Sequence, residues 1–576
     1  MSSFAPFSAL ILAASLLPGC GGAGGSGTEG APSTPAPARS PSPSSPRFID
    51  VTAASGIDFE VGFTSVPGVF DLSNITFGGA AAGDYDSDGD IDVFITAGNL
   101  GPNRLYENVG NLTFIDVASA AGIAYTQSSG QNYRHSGPTF ADLDGDGDLD
   151  LFLGGIATNP SLIFRNNGDK TFSNVTSSSG IDALQAEQNV SAAFGDYDLD
   201  GDLDMFVAHW GTERSYSSPG DTEHLWRNDT DANGIRFTSA SVSSGIAPDI
   251  LTAADPFVQW SAVSRADWTF TPTFARINDD LYPDLLSVAD YNMTKIFLNN
   301  RDNTFSNATN VSVITDDNGM GSAVGDYDND GDLDWFVSSI LARPGSNVAS
   351  DPAQRSVGNR LYRNDNGIFS DVTEDAGVAD GGWGWGSCFL DFENDGDLDI
   401  YHTNGYPLFG SWGDFNTDRS RAFVSDGAGQ FEDRALSLGL ADTAQGRGVV
   451  CADFDNDGDV DILQLHDDSP VSASLWENRQ GNSNYLRVIL RGLPPNTEAA
   501  GARITAQIGS TTQMREITIG SNYTSQNPTV QIFGLAFSTS IDELTVEWPD
   551  GITSPAMTNV LANQTLTLTH PNYSGP

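Results

Sequence analysis

Between residues 78 and 480, apolar residues come in short bursts rather than long helical stripes. GGAAAGDY (78–85), DVFITAG (92–98), DLFLGG (150–155) and DMFVAHW (204–210) are compact, rich in β-formers and bounded by Asp and Gly. Such runs predict strands. The bursts flank an acidic core, D-x-D-x-D-G-D-x-D, which reads as the turn between two strands. Each core is followed by a short amphipathic element, such as LYEN from Leu105 or LWRN from Leu225, and then by an F-x-D-V-T-x-x-x-G-I segment, as at Phe114 or Phe369. That makes four short strands per unit.

The core occurs intact at 84–92, 142–150, 196–204, 326–334, 391–399 and 453–461, and in decayed form as RINDDLYPD at 276–284. Spacings range from 50 to 80 residues, so insertions lie in loops. Seven four-stranded units predict an all-β, seven-bladed β-propeller over 48–480. A solenoid would want regular periods and capping repeats, and neither is visible. One outer segment, FIDVTAASGI at Phe48, precedes the first core, and the last unit stops at LWEN near Leu475. The displaced segment is therefore expected to pair with the last blade and clasp the ring. Residues 481–576 have no acidic core but alternate in YLRVIL (485–490), ARITAQI (502–508), REITI (515–519) and ELTVEW (543–548), which predicts a small β-sandwich.

The first 47 residues differ in character. SALILAASLL (8–17) is too short to span a bilayer and suits the core of a signal peptide over 1–20. Residues 21–47 are nearly all Gly, Ser, Pro, Ala and Thr, the composition of a flexible or extended tether.

Composition narrows the function. A balance of 26 basic against 76 acidic residues, net −50, repels phosphate and argues against nucleic acid and direct membrane contact. With 39% apolar and 10% aromatic residues, the chain has enough to form a core. Three cysteines exclude a disulfide framework. Cys388 and Cys451 stand three and two residues before their acidic cores, so strand alternation points them to opposite faces, and two buried free thiols are expected.

The acidic cores carry the chemistry. The candidate ligands are Asp84, Asp86, Asp88, Asp90 and Asp92; Asp142, Asp144, Asp146, Asp148 and Asp150; Asp196, Asp198, Asp200, Asp202 and Asp204; Asp326, Asp328, Asp330, Asp332 and Asp334; Asp391, Glu393, Asp395, Asp397 and Asp399; and Asp453, Asp455, Asp457, Asp459 and Asp461. Positions 1, 3, 5 and 9 can converge, Gly at 6 permits a bend, and the position 7 carbonyl turns inward. Hard oxygen ligands in that number favour Ca²⁺ over Mg²⁺ or Zn²⁺, with about six sites. An EF-hand needs Glu at position 12, where these cores carry Ile95, Leu153, Val207, Val337, His402 and Gln464. In the decayed core Arg276 replaces the first Asp and Leu281 the Gly, so its guanidinium is expected to stand in for the metal.

These motifs resemble the FG-GAP/VCBS repeats of integrin α-chain-type propellers, which implies seven blades with calcium in the blade hairpins. The 481–576 segment resembles the ASPIC/UnbV domain found in bacterial proteins and in the cartilage acidic protein family. The matching residues are Asn484, Leu486, Gly501 to Arg503, Gln513 to Glu516, Ser525-Gln526, Phe533 to Leu535 and Trp548 to Gly551. It departs at Tyr485, where a His-Trp pair is common, and at Ala536, where Gly is expected. Leu17-Pro18-Gly19-Cys20 resembles a bacterial lipobox, which implies acylation of Cys20 and a lipid-anchored, extracytoplasmic protein of the cell envelope.

Function is expected to be binding or adhesion to a protein or glycan at the cell surface, with the membrane reached only through the lipid anchor. The candidate ligand loops are 211–222, 247–270 and 405–416, with Trp260, Trp268 and Trp412 as anchors. A hydrolase or lyase on the propeller is the alternative, with His209 and His402 as the groups nearest a central channel. A subunit of a surface assembly, docked through the sandwich, is another. The six His residues fall in no zinc or triad signature.

Overall fold

The computed structural model describes residues 47–62, 79–99, 101–214, 220–251, 267–343, 357–406, 414–467, 472–481, 483–520 and 522–573. Among these residues the repeats build seven four-stranded antiparallel sheets. In the first blade the strands run Ala80–Gly83, Asp92–Ile95, Arg104–Asn108 and Phe114–Asp116, in that order across the sheet. The first strands of the other blades are His135–Ala141, Ser191–Gly195, Thr269–Ala275, Ser322–Gly325, Gly384–Leu390 and Gln445–Ala452. Each lies against the next, and the seventh lies against the first, which closes the ring. The clasp forms as expected: Phe48–Asp50 pairs with the third strand of blade seven, Phe48 opposite Asn478 and Asp50 opposite Trp476. A closed ring leaves no inner edge to attract another chain.

Each F-x-D-V-T segment is an outer strand followed by one helical turn. Asp116 Oδ1 accepts the Ala118 N–H at the start of such a turn, and Gly122 ends it at φ 83°, so that Ile123 drops into the core. Apolar faces of neighbouring blades meet in clusters such as Phe152, Ile163, Phe194, Met205 and Trp226.

The C-terminal segment forms two sheets around a shared core. Asn484–Arg491 is central to a three-stranded sheet, and Arg503–Ile508 pairs with both Thr511–Glu516 and Ser540–Glu547 in a four-stranded one. Leu486, Ile504, Phe533, Leu544 and Trp548 fill the space between them. Ala536 has φ 50°, the left-handed conformation that accounts for Gly being usual there.

This sandwich is joined to the ring through a segment that runs along the first strands. Gln526 donates to the Phe140 carbonyl at 2.8 Å and accepts the Phe140 N–H at 2.7 Å, while its backbone bonds to Ala80 and Ala82. Ile519 accepts from Phe194 N, and Asn522 Nδ2 donates to the Val449 carbonyl. Tyr523 is fully buried between Phe270 and Trp385. Blades one, two, three, four, six and seven thus all meet Ile519, Asn522, Tyr523 or Gln526.

The cysteine expectation is corrected: Cys388 and Cys451 form a disulfide, with Cα atoms 6.6 Å apart. They lie on the first strands of blades six and seven, which are neighbours in the ring. Opposite faces of consecutive blades look at each other, so the alternation that seemed to separate the thiols brings them together.

Candidate metal centres

The nine-residue cores are turns between the first and second strands of their blades. Position 6 Gly adopts φ values of 91–102° across the six intact copies, and position 4 is also left-handed, as at Asn329 (φ 59°) and Asn456 (φ 60°). Asn tolerates that conformation better than most residues. The position 1 carboxylate then accepts backbone N–H bonds from within the turn. In the first turn Asp84 Oδ1 accepts from Asp88 at 2.9 Å and Oδ2 from Gly89 at 3.0 Å.

Five turns bring three carboxylates to within 4.8 Å of one another: Asp84, Asp86 and Asp92; Asp142, Asp144 and Asp146; Asp196, Asp198 and Asp204; Asp326, Asp328 and Asp334; and Asp453, Asp455 and Asp457. The position 3 oxygen Oδ1 of Asp86, Asp144, Asp198, Asp328 and Asp455 is buried and accepts no hydrogen bond. An unsatisfied buried carboxylate oxygen is costly, and its recurrence at one position in five turns fits a cation. The donor set is all oxygen, which suits a hard divalent ion.

The electrostatics agree. Burial, with neighbouring carboxylates adding to it, pushes Asp92 and Asp334 up to about 9 and Asp196, Asp326 and Asp453 up to about 7, against backbone hydrogen bonds that lower them. Asp391 rises to about 8 for the same first reason. Without a counter-ion, burial favours the protonated form of these groups.

Not every sequence candidate enters a cluster. The position 7 side chains link neighbouring turns instead: Asp90 Oδ1 accepts from Asn456 Nδ2 at 2.6 Å, and Asp459 Oδ1 from Asn394 Nδ2 at 2.6 Å. Asp88, Asp200 and Asp330 lie outside the triplets, as do Asp150 and Asp461. No triplet forms in the turn at 391–399 among the described residues. In the decayed turn, Arg276 Nε donates to the Asp280 carbonyl at 2.9 Å and its Nη2 to Glu547 Oε2 at 2.8 Å, so a guanidinium occupies the turn and reaches the sandwich.

Position 9 has a structural duty as well. Asp204 Oδ2 accepts the Tyr197 N–H and Oδ1 the Asn228 N–H, and the same pair of bonds recurs at Asp92, Asp150, Asp334, Asp399 and Asp461. The Asn that closes each LYEN-type element was not singled out from sequence, although its recurrence was the signal. Its Nδ2 donates to the position 2 carbonyl of the preceding blade: Asn108 to Phe454, Asn166 to Tyr85, Asn228 to Leu143, Asn299 to Tyr197, Asn364 to Ile277 and Asn478 to Phe392. Only blade six, with Ser425 at that place, lacks this bolt among the described residues.

The sandwich rests on this same acidic edge. Asp142 N donates to Glu498 Oε2 at 3.0 Å, Thr497 Oγ1 donates to Asp142, and Arg487 Nε lies 3.7 Å from Asp453 Oδ2. Tyr485 packs so closely on Gly458 that no side chain would fit there.

Of the proposed ligand loops, Trp260 and Trp412 lie outside the described residues, as does Cys20 with the whole leader and tether to residue 46. Trp268 packs against Trp210 and Tyr291, with ring centroids 5.3 and 4.7 Å away. His209 and His402 are fully buried, with ring nitrogens 3.0 Å from the Glu223 carbonyl and 3.1 Å from the Thr403 carbonyl. Among the described residues no helix is long and apolar enough to cross a membrane.

A family model for the FG-GAP-like repeat matches residues 84–153, 142–207, 276–337 and 348–402, and one for ASPIC and UnbV matches 492–574. Cartilage acidic protein 1 of Homo sapiens is 25% identical over 508 residues, covering 82% of this chain and 69% of that one. The Mus musculus protein of the same name is 25% identical over 527 residues, 86% of this chain and 74% of that one. Among solved structures, an Agrocybe aegerita lectin described for its recognition of non-reducing terminal N-acetylglucosamine aligns with a TM-score of 0.35 and 16% identity, covering 70% of this chain and 92% of that one. The chain thus joins FG-GAP-like repeats to an ASPIC and UnbV domain and is homologous over most of its length to cartilage acidic protein 1.

Proposed function

We propose that this chain is a calcium-loaded, extracytoplasmic propeller that acts as a binding or adhesion module for a protein or glycan, held at a bacterial envelope by a lipidated Cys20. The observation that carries the calcium reading is the buried, unbonded Oδ1 at position 3 of five convergent turns. Calcium there would be held by Asp at positions 1 and 3 with help from 5 or 9, and it would neutralise the crowded negative charge of the turn. Homology to cartilage acidic protein 1 supports an extracellular setting, and the Cys388–Cys451 disulfide suits an oxidising one.

Binding is favoured over hydrolase or lyase chemistry because His135, His209 and His402 are buried against backbone carbonyls, the usual place of a structural imidazole. The assembly reading, with the sandwich as the docking piece, is weakened by the ring's own use of that domain through Gln526 and Tyr523. The direct test is calcium titration of the chelated protein by calorimetry, followed by the same titration of Asp86→Asn and Asp198→Asn. Saturable binding that loses one site per substitution supports the reading; heats no different from buffer would sink it.

A further inference from the structure

The turn at 391–399 has the spacing of its five convergent relatives yet forms no carboxylate triplet among the described residues. Its backbone is not at fault. Asp391 accepts the Asp395 and Gly396 N–H bonds, and Asp399 accepts those of Phe392 and Ser425, as in the other copies. The difference lies at position 3, where Glu393 replaces Asp and adds a methylene. Glu393 Oε2 lies 3.2 Å from Arg47 Nη1, and that same nitrogen donates to the Phe392 carbonyl at 3.1 Å.

Arg47 is not a surface residue that happens to fall nearby. It immediately precedes the clasp strand Phe48–Asp50, its carbonyl accepts the Arg479 N–H at 3.1 Å, and its side chain is only 14% exposed. The first turn makes a useful contrast, since Lys170 Nζ reaches Asp86 Oδ2 at 2.5 Å. That ammonium is half exposed, and beneath it the three carboxylates still converge with Asp86 Oδ1 unbonded. In both turns a cation reaches the position 3 carboxylate; the difference is that the first turn keeps three carboxylates together around Asp86, whereas the sixth, with the longer Glu393 turned to a largely buried Arg47, does not.

We propose that Arg47 is the built-in counter-ion of the turn at 391–399, so that calcium enters this turn only by displacing it. The inference rests on the calcium reading of the other five turns. Two cations drawn to one carboxylate repel each other, so their bindings are linked and reciprocal: calcium at Glu393 weakens the hold on Arg47, and removal of Arg47 strengthens calcium there. The root of the tether is thereby coupled to calcium concentration through one turn, while the other five set stability.

The experiment is a count of bound calcium by atomic emission after equilibrium dialysis of the full chain against a fixed low concentration of free calcium. Arg47→Ala is expected to hold one ion more than the parent. Glu393→Asp, which shortens the arm away from Arg47 and restores the common position 3 residue, is expected to do the same without disturbing the clasp sequence. Arg479→Ala, whose side chain is half exposed and paired with Glu477, is expected to leave the count unchanged. In trypsin digests, cleavage after Arg47 should rise with calcium in the parent and be independent of calcium in Glu393→Asp. An unchanged count in both Arg47→Ala and Glu393→Asp overturns the proposal while calcium binding at the remaining turns stands. A parent that holds no calcium overturns the underlying calcium reading instead.

Discussion

The turns of blades three and four share their position 9 bonds but not a chemistry or a backbone path: Leu199 and Gly201 are left-handed, at φ 57° and 102°, whereas Asp279 and Leu281 are not. In the third, Asp196, Asp198 and Asp204 converge, and Asp198 Oδ1 is buried without a partner. In the fourth, Arg276, Asn278 and Leu281 replace Asp196, Asp198 and Gly201, yet Asp284 Oδ1 still accepts the Asn299 N–H at 2.7 Å, and Asn299 Nδ2 still reaches the Tyr197 carbonyl at 2.7 Å. The position 9 bonds and the bolting Asn therefore survive the loss of positions 1 and 3 from a turn, even where its left-handed residues go with them. Two roles that overlap in one motif are separable by residue.

The strongest way to sharpen that difference is to remove the metal. Each ion bound only by the folded chain adds roughly 2.7 kcal/mol at a hundredfold excess over its dissociation constant, so on the calcium reading several sites together would dominate the stability of the propeller. Differential scanning calorimetry in EDTA and in millimolar calcium should give melting temperatures more than about 10 °C apart. Coincident transitions would mean that the convergent turns do not hold calcium, and would collapse the distinction between the two kinds of turn.

Single substitutions in blade three should then split by role. Asp204→Ala strands the Tyr197 and Asn228 N–H groups in a buried turn and should cost about 2–4 kcal/mol already in EDTA, and more in calcium because Asp204 also belongs to the triplet. Asp198→Asn removes a buried charge beside two others, so it should be neutral or mildly stabilising in EDTA and destabilising in calcium. Denaturant titrations in both buffers would read the crossover. If Asp198→Asn destabilises equally in both, position 3 is structural after all.

How much of this could be read in advance follows the range of the interactions. The nine-residue cores, the strands beside them and the clasp at Phe48 were legible because each is a local pattern repeated down the chain. Gln526 was not, because its partner Phe140 lies 386 residues away and nothing in either stretch signals the other. Arg47 looked like the last residue of a polar linker for the same reason, since Glu393 is 346 positions distant. The disulfide failed on a subtler point: face alternation within a strand says nothing until the neighbouring blade is in view. The bolting Asn was repeated, and so within reach, but its target carbonyl sits in another blade.

Arg276 offers a test from the other side of the comparison. Its guanidinium is buried, bonded to the Asp280 carbonyl and paired with Glu547 of the sandwich. Arg276→Ala should cost about 1–3 kcal/mol, and by the same amount in EDTA and in calcium, because no ion is involved. A penalty that appears only in calcium would show that this turn also takes metal.

The smallest expected effect concerns blade six, where the bolt is missing. In blades one to five the closing Asn does two things: its Oδ1 accepts an N–H two or three residues on, as Asn166 does from Gly168, and its Nδ2 crosses to the preceding blade, while Asn478 of blade seven does only the second. Ser425 performs the first, accepting the Gly427 N–H through Oγ at 3.2 Å, and its own N–H still donates to Asp399. It has no second group to send to Tyr327, the residue equivalent to Tyr85 and Tyr197 in the blade before. Ser425→Asn supplies that group on a backbone already in the required conformation, so it should add about 0.5–1.5 kcal/mol, read as a small rise in the denaturant midpoint at unchanged slope. The gain should persist in EDTA, because the bolt belongs to the ring and not to the ion. A loss of stability would mean that blade six is spaced differently from the other six, and that Ser425 is there to accommodate the difference.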